Sequence, residues 1–173
     1  MRVRALESND LPFVHELNNE YSIMSYWFEE PYESLTELQY LFDKHLLDES
    51  ERRFIVEDDK QIVGIVELVE IDYIHRNCEI QIIIKPEFGG KGYAKFAFDN
   101  ATSYAFDILN MHKVYLYVDQ DNEKAIHIYE SYGFKKEGLL REHFYAKGKY
   151  KDAFLMALLK FEYIELFLHW PRW

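Results

Sequence analysis

The sequence predicts one mixed α/β domain spanning residues 1–173, with a central twisted sheet flanked by helices. Three observations lead there. The chain has 173 residues, enough for one core and short for two. It is 49% hydrophobic and 29% charged, a globular composition,. Its apolar periodicity switches repeatedly between strand and helix in the order β-α-α-β-β-β-α-β-α-β-β, with no linker, internal repeat or low-complexity segment between elements,.

Val3 to Leu6 is a short apolar strand. Ser8-Asn9-Asp10 signals a helix start, and Phe13, Val14 and Leu17 follow at helical spacing,. Ser34-Leu35-Thr36-Glu37 is a capping box, so a second helix starts at Ser34, with Leu35, Leu38, Leu41 and Phe42 on its apolar stripe,. Phe54–Glu57 and Ile62–Ile71 read as strands joined by the turn Asp58-Asp59-Lys60,. Cys78–Ile84 is a strand ended by Pro86,. Tyr93 to Leu109 carries alanines at helical spacing that suit close packing on a sheet. Val114–Val118 is a strand, and Glu123–Tyr132 a helix closed by Gly133,. Two final strands, near Phe134 and Phe154, are separated by a hairpin tip at Lys147-Gly148-Lys149. The aromatic ending, Phe167 to Trp173, is expected to pack over the last strand or a neighbouring subunit.

Charge narrows the function. The net charge of -11 repels nucleic-acid phosphates and attracts small cations, although acidity that serves solubility alone has the same signature. Charges interrupt every apolar run, so no membrane span is expected. MRVRALESND lacks the apolar core of a secretion signal,. The single cysteine, Cys78, forms no internal disulfide and fits a reducing cytoplasm,.

Gly89-Gly90-Lys91-Gly92 stands between a strand and a helix. Glycines there bring backbone N–H groups close to a phosphate, and the following helix adds its dipole. An ordinary strand-to-helix turn has the same composition. Walker A and Rossmann spacings are both absent. Downstream, Asn122 to Phe134 reads NEKAIHIYESYGF. The two motifs together, at this separation and in this element order, resemble the GNAT acetyltransferases. Further stretches are similar to the bacterial spermidine/spermine N-acetyltransferases: Tyr26 to Glu33 (YWFEEPYE), Lys44-His45, Glu51 to Phe54, Val66 to Ile71 and Asn122 to Tyr129.

The resemblance implies an acyl-CoA N-acyltransferase domain in which an amine attacks acetyl-CoA directly. It assigns acetyl-CoA to Ile82, Ile83 and Ile84, whose backbone meets the pantetheine arm, and to Gly89, Gly90, Lys91, Gly92, Tyr93, Ala94 and Lys95. Asn122, Lys124, Ala125 and Ser131 complete that set. Tyr129 matches the family's general acid, since a phenol with pKa near ~10 can protonate the departing thiolate. Packing on the sheet is the competing role for Tyr129, and helix capping for Asn122. Glu79 is a candidate base, or simply an exposed strand glutamate. Cys78 is a bystander in the core, and Tyr104 and Tyr132 are packing residues.

Glu29, Glu30, Glu33, Glu37, Asp48 and Glu51 gather around the two-helix region with His45 among them. Glu33 and Glu37, four apart, are expected on one helical face, where a polyamine would relieve their repulsion. A solvated acidic face is the plainer reading. The resemblance implies an allosteric polyamine site formed by Met24, Glu29, Glu37, His45, Leu46, Leu47 and Asp48 at a subunit interface of a dodecamer, with Gln81 on the polyamine path. It also places a divalent cation such as magnesium at Glu29 and Glu70. Two other readings remain open: acetylation of a protein N-terminus, as in ribosomal-protein acetyltransferases, and a polyamine sensor without catalysis.

Overall fold

The computed structural model of the protein describes residues 1–20, 23–24 and 33–167. Seven strands form one sheet in the order β1-β2-β3-β4-β5-β7-β6. They are β1 (Arg2–Ala5), β2 (Arg52–Asp58), β3 (Gln61–Asp72), β4 (Asn77–Ile84), β5 (Lys113–Asp119), β6 (Lys135–Ala146) and β7 (Lys149–Leu159). Every neighbouring pair is antiparallel except β4 and β5, which run parallel. A parallel pair needs a long crossover, and here a helix supplies it.

Among the described residues five helices cover the sheet: α1 (Leu11–Asn18), α2 (Leu35–His45), α3 (Tyr93–Ser103), α4 (Glu123–Tyr132) and α5 (Lys160–Phe167). The helix signal at Ser8 is realised as a 3₁₀ turn, Ser8–Asp10, in which the Asp10 carboxylate accepts from the Glu7 N–H; α1 then starts at Leu11 with Pro12 in its first turn. Ser34 caps α2, its Oγ accepting from the Glu37 N–H at 3.1 Å. That cap leaves Glu33 outside the helix, so Glu33 and Glu37 do not share a helical face; Glu33 instead accepts from Asn18 Nδ2 at 2.9 Å. The crossover helix runs regularly to Ser103 and ends as a π-turn over Tyr104–Ile108.

The larger core lies between the sheet and α3, α4 and α5, with Phe98, Phe106, Phe134, Met156 and Leu158 fully buried. Cys78 belongs to it, and burial pushes its thiol up to about 12, which removes it as a nucleophile,. Tyr132 is a packing residue whose hydroxyl meets Thr102 Oγ1 at 2.8 Å, and Tyr104 stacks edge-on against Phe54 at 5.1 Å. A smaller core under α1 and α2 contains Leu11, Leu17, Met24, Leu38, Ile65 and Ile83. The C-terminal segment is helical from Lys160, with the Glu162 carboxylate accepting from the Leu159 N–H at 2.9 Å. Residues 168–173, Glu29, Glu30 and the aromatic segment around them lie outside the described residues.

Candidate active site

β4 and β5 pair only at Asn77↔Lys113, Cys78↔Val114 and Glu79↔Tyr115. Beyond that point β4 continues to Ile84 and β5 to Asp119 without bonding to each other. The strands part, and the edge of β4 through Ile82, Ile83 and Ile84 faces β5 with no strand partner there. Backbone groups need partners, and an extended chain carrying amides would fill this gap.

The gap leads to the glycine loop. Gly90 (φ +77°) and Gly92 (φ +85°) are left-handed, and a Cβ at either would meet no atom within 4 Å. Backbone conformation therefore demands glycine at both, and the outer side of the loop stays open. Gly92 is the N-cap of α3, whose first-turn N–H groups, on Tyr93, Ala94 and Lys95, have no intrahelical acceptor,. This is an anion cradle of backbone donors and helix dipole. Gly89 differs, with φ -58° and an N–H that donates to the Pro86 carbonyl at 3.0 Å.

Side chains expected at the cradle point elsewhere. Tyr93 Oη donates to Asp58 Oδ2 at 2.8 Å, Lys95 Nζ pairs with Asp99 at 2.9 Å, and Lys91 Nζ lies 5.4 Å from the Phe88 ring centre. What Tyr93 and Lys95 offer is their N–H groups. On α4, Asn122, Ala125 and Tyr129 fall on one face by helical spacing, whereas Lys124 and Ser131 fall on the opposite face,. Ser131 Oγ turns back to the Ile128 carbonyl at 2.7 Å. Ser131 is thus exposed, on the face of α4 away from Tyr129. Asn122 Oδ1 caps α4 through the Ala125 N–H at 3.2 Å, which leaves its amide NH₂ for a ligand.

Tyr129 is packed between Phe98 (5.5 Å) and Phe134 (6.3 Å), and its hydroxyl has no hydrogen-bond partner among the described residues. Burial pushes the phenol up to about 12, so it carries its proton throughout the neutral range. It is a donor awaiting an acceptor.

Glu79 closes the paired part of β4 and accepts from Gln81 Nε2 at 2.9 Å. Burial, then the negative neighbourhood of Glu79 and Glu70, pushes the phenols of Tyr115 and Tyr117 upward. A cavity of about 220 Å³ opens beside Gln81, lined also by Asn18, Met24, Glu51, Arg53 and Glu67. A second cavity, about 460 Å³, takes in His45, Leu46, Leu47, Asp48, Glu51 and Arg53. The structure thereby brings together most of the polyamine set. Glu37 stays on the exposed face of α2. Arg53 and Asn18 were not foreseen; the signal for Arg53 is the Arg52-Arg53 pair directly after the carboxylates Asp48 to Glu51.

Of the two carboxylates expected to hold a divalent cation, Glu29 lies outside the described residues. Glu70 is exposed, with φ +50°, at a bulge of β3, and the one group of three metal-ligating residues among the described residues is His45, Asp48 and Glu51.

Comparison with known proteins identifies the family. The acetyltransferase (GNAT) domain family matches residues 1–135. Spermidine N(1)-acetyltransferase of Vibrio cholerae serotype O1 is 53% identical over 165 residues, 95% of each chain. A crystal structure of spermidine N-acetyltransferase from Vibrio cholerae in complex with CoA and spermine superposes with a TM-score of 0.92 at 52% identity, covering 94% of this chain and 97% of that one. A dodecameric structure of spermidine N-acetyltransferase from Vibrio cholerae has a TM-score of 0.87 at 53% identity, covering 95% and 96%.

Proposed function

This chain belongs to the GNAT acetyltransferase family, and we propose that its reaction moves the acetyl group of acetyl-CoA onto a primary amine of spermidine or spermine by direct attack. The observation that carries the reading is the junction at Glu79. There the pairing of β4 with β5 ends, and Gln81, which donates to Glu79, lines a cavity with the carboxylates of Glu51 and Glu67, so an extended thioester and a cationic amine can approach the same stretch of β4. The substrate named for the similar enzymes points the same way.

Acetyl-CoA supplies the activated acetyl group. The β4 edge and Asn122 hold its amide-bearing arm, and the cradle of Gly90, Gly92, Tyr93 and Ala94 takes the pyrophosphate. The amine arrives as an ammonium, because polyamine pKa values lie near ~10, and the carboxylates hold it. It must then lose a proton, which Glu79 accepts directly or through water. Tyr129 donates a proton to the sulfur as the C–S bond breaks, and the second proton that the nitrogen loses on becoming an amide restores the phenol. Cys78, buried and protonated, takes no part.

The larger cavity is a regulatory polyamine site in this reading, and the protein works in the cytoplasm as a homo-oligomer, a dodecamer by analogy with the Vibrio cholerae structure. Glu70 would lend an oxygen to a divalent cation such as magnesium; no catalytic step depends on it. Among the described residues no helix is long and apolar enough to cross a membrane.

Release of free thiol from acetyl-CoA, measured over spermidine, spermine, putrescine and a basic peptide, tests the reading. Turnover should be greatest with spermidine or spermine. Preference for the peptide would transfer the activity to protein N-termini, and polyamine binding without thiol release would make the protein a sensor.

A further inference from the structure

The two cavities on the α1–α2 face share a wall made of Glu51 and Arg53, which line both. Arg53 Nη2 lies 3.0 Å from Glu51 Oε2, and Arg53 Nε lies 3.2 Å from Glu67 Oε1. The same Glu51 oxygen is 3.3 Å from His45 Nδ1. Sheet register extends the row: Arg53 sits opposite Glu67, Glu67 opposite Gln81, and Gln81 donates to Glu79. A row of polar residues thus runs from the end of α2 to the candidate base, linked by side-chain contacts from His45 to Glu67 and from Gln81 to Glu79, and by strand register between Glu67 and Gln81.

The middle of this series is loosely held. The ion pairs are at contact distance, yet His45 Nδ1, Glu51 Oε2 and Arg53 Nε are buried without a hydrogen bond of proper alignment. A single guanidinium is divided between two carboxylates. By contrast, Arg52 spends its guanidinium on the carbonyls of Asp48, Glu49 and Glu51, which fixes the floor of the outer cavity.

We propose that Arg53 couples the two cavities, acting as an internal cation that a polyamine displaces from Glu51. The proposal rests on reading the outer cavity as the regulatory polyamine site. An ammonium entering between Asp48 and Glu51 competes with Arg53 for Glu51, and the guanidinium settles on Glu67. Positive charge then moves toward the inner cavity. The acceptor nitrogen there must lose a proton, and neighbouring carboxylates oppose this by favouring the ammonium form. Neutralising Glu67 weakens that opposition. Occupancy of the outer cavity therefore speeds transfer in the inner one and loosens acceptor binding at the same time. The groups that set this field are His45 from α2, Asp48 and Glu51 ahead of β2, Glu67 on β3, and Gln81 with Glu79 on β4.

The experiment compares Arg53→Gln and Arg53→Lys with the wild type by initial rates against spermidine at saturating acetyl-CoA, by calorimetric spermidine binding, and by the pH dependence of kcat. Arg53→Gln should still bind spermidine but give a hyperbolic curve, with the activation lost by about fivefold or more, the lower bound of ordinary coupling between sites. The rising limb of its kcat profile should move to higher pH, because Glu67 is no longer neutralised. Arg53→Lys keeps the charge without the fork and should retain part of the activation; it carries the test if the glutamine variant does not fold. A wild-type curve that is sigmoidal and unchanged in both variants overturns the Arg53 proposal and leaves the regulatory site standing. A hyperbolic wild type with one spermidine bound per chain overturns the regulatory site itself, and the role of Arg53 with it.

Discussion

From Ile82 to Ala94 the protein offers main-chain groups: an unpaired strand edge, a loop with two left-handed glycines and the start of a helix. From His45 to Glu79 it offers side-chain charges drawn from a helix and three strands. Main-chain dipoles neither titrate nor exchange partners, so the half proposed for acetyl-CoA is a fixed cradle. Ion pairs without tight alignment can be redistributed by an incoming cation. In the proposed function, a cosubstrate that is always the same meets rigid backbone, and a flexible polycation meets adjustable carboxylates. Substitutions that interfere with chemistry on the fixed side should accordingly cost more than substitutions among the charges.

The largest effect is expected at Tyr129. Tyr129→Phe removes the proton donor and preserves the packing on Phe98 and Phe134, so kcat should fall ~100-fold or more with acetyl-CoA affinity unchanged. The raised pKa has a definite sign. A phenol held up to about 12 keeps its proton far above neutrality, so the wild-type rate should show no alkaline decline from this group below pH ~10. Steady-state kinetics between pH 6 and 10 check both statements, and near-wild-type turnover in the variant would assign the acid elsewhere.

Next comes Gly92→Ala. The added methyl meets no atom within 4 Å, but φ is +85°, and a left-handed alanine costs ~1–2 kcal/mol. If the loop relaxes out of the cradle geometry to avoid that cost, acetyl-CoA should bind about tenfold more weakly, with the KM for spermidine unaffected. Calorimetry would show this directly; unaltered acetyl-CoA binding would break the picture of a backbone cradle.

Glu37→Gln should do less. Glu37 is exposed on α2 and its capping role uses only its N–H. If the outer cavity is the regulatory site proposed above, losing one exposed charge from α2, the helix that ends at that cavity, should raise the spermidine concentration for half-activation by about threefold, in line with the ~0.2–1 kcal/mol of exposed ion pairs,. The maximal rate should not change. A loss in kcat as large as that of Tyr129→Phe would reverse the ranking of the two halves.

The cradle and α4 were legible in the sequence because each is set by local chemistry. Left-handed turns need glycine, a helix start needs Asn122 or Ser34, and Gly133 ends α4 with φ +108°. The Arg53–Glu67 contact was not legible. It depends on the register of β2 against β3, which slips at a bulge between Val56 and Glu57, and no local pattern announces that offset. Glu33 was misplaced because spacing alone was read and the cap at Ser34 was not carried through to it. The helix α5 is marked in the sequence only by Glu162, three residues after Leu159, which is half of a capping box because Leu159 has no side-chain oxygen to complete it,.

The smallest effect is expected at Gly89, and it tests the contrast most finely. With φ -58° and ψ 149° this residue sits where any L-amino acid can sit,, so the strain that singles out Gly92 is absent. Crowding is the opposing factor, since an added Cβ would lie 3.1 Å from the Pro86 carbonyl oxygen, the atom that accepts from the Gly89 N–H at 3.0 Å. The turn must open by a few tenths of an ångström. That cost works against the ~0.4–1 kcal/mol gained by restricting the unfolded chain, so stability should hardly move. A glutamine amide at this position could also reach a phosphate oxygen, but the cradle already surrounds the anion with N–H groups. Gly89→Gln should therefore change the acetyl-CoA Kd by no more than about threefold, under 1 kcal/mol. Titration calorimetry with thermal melting decides it. A gain of tenfold or more with an unchanged melting point would mean that a side chain shares the phosphate with the backbone, and the fixed half of the site would no longer be built from main chain alone.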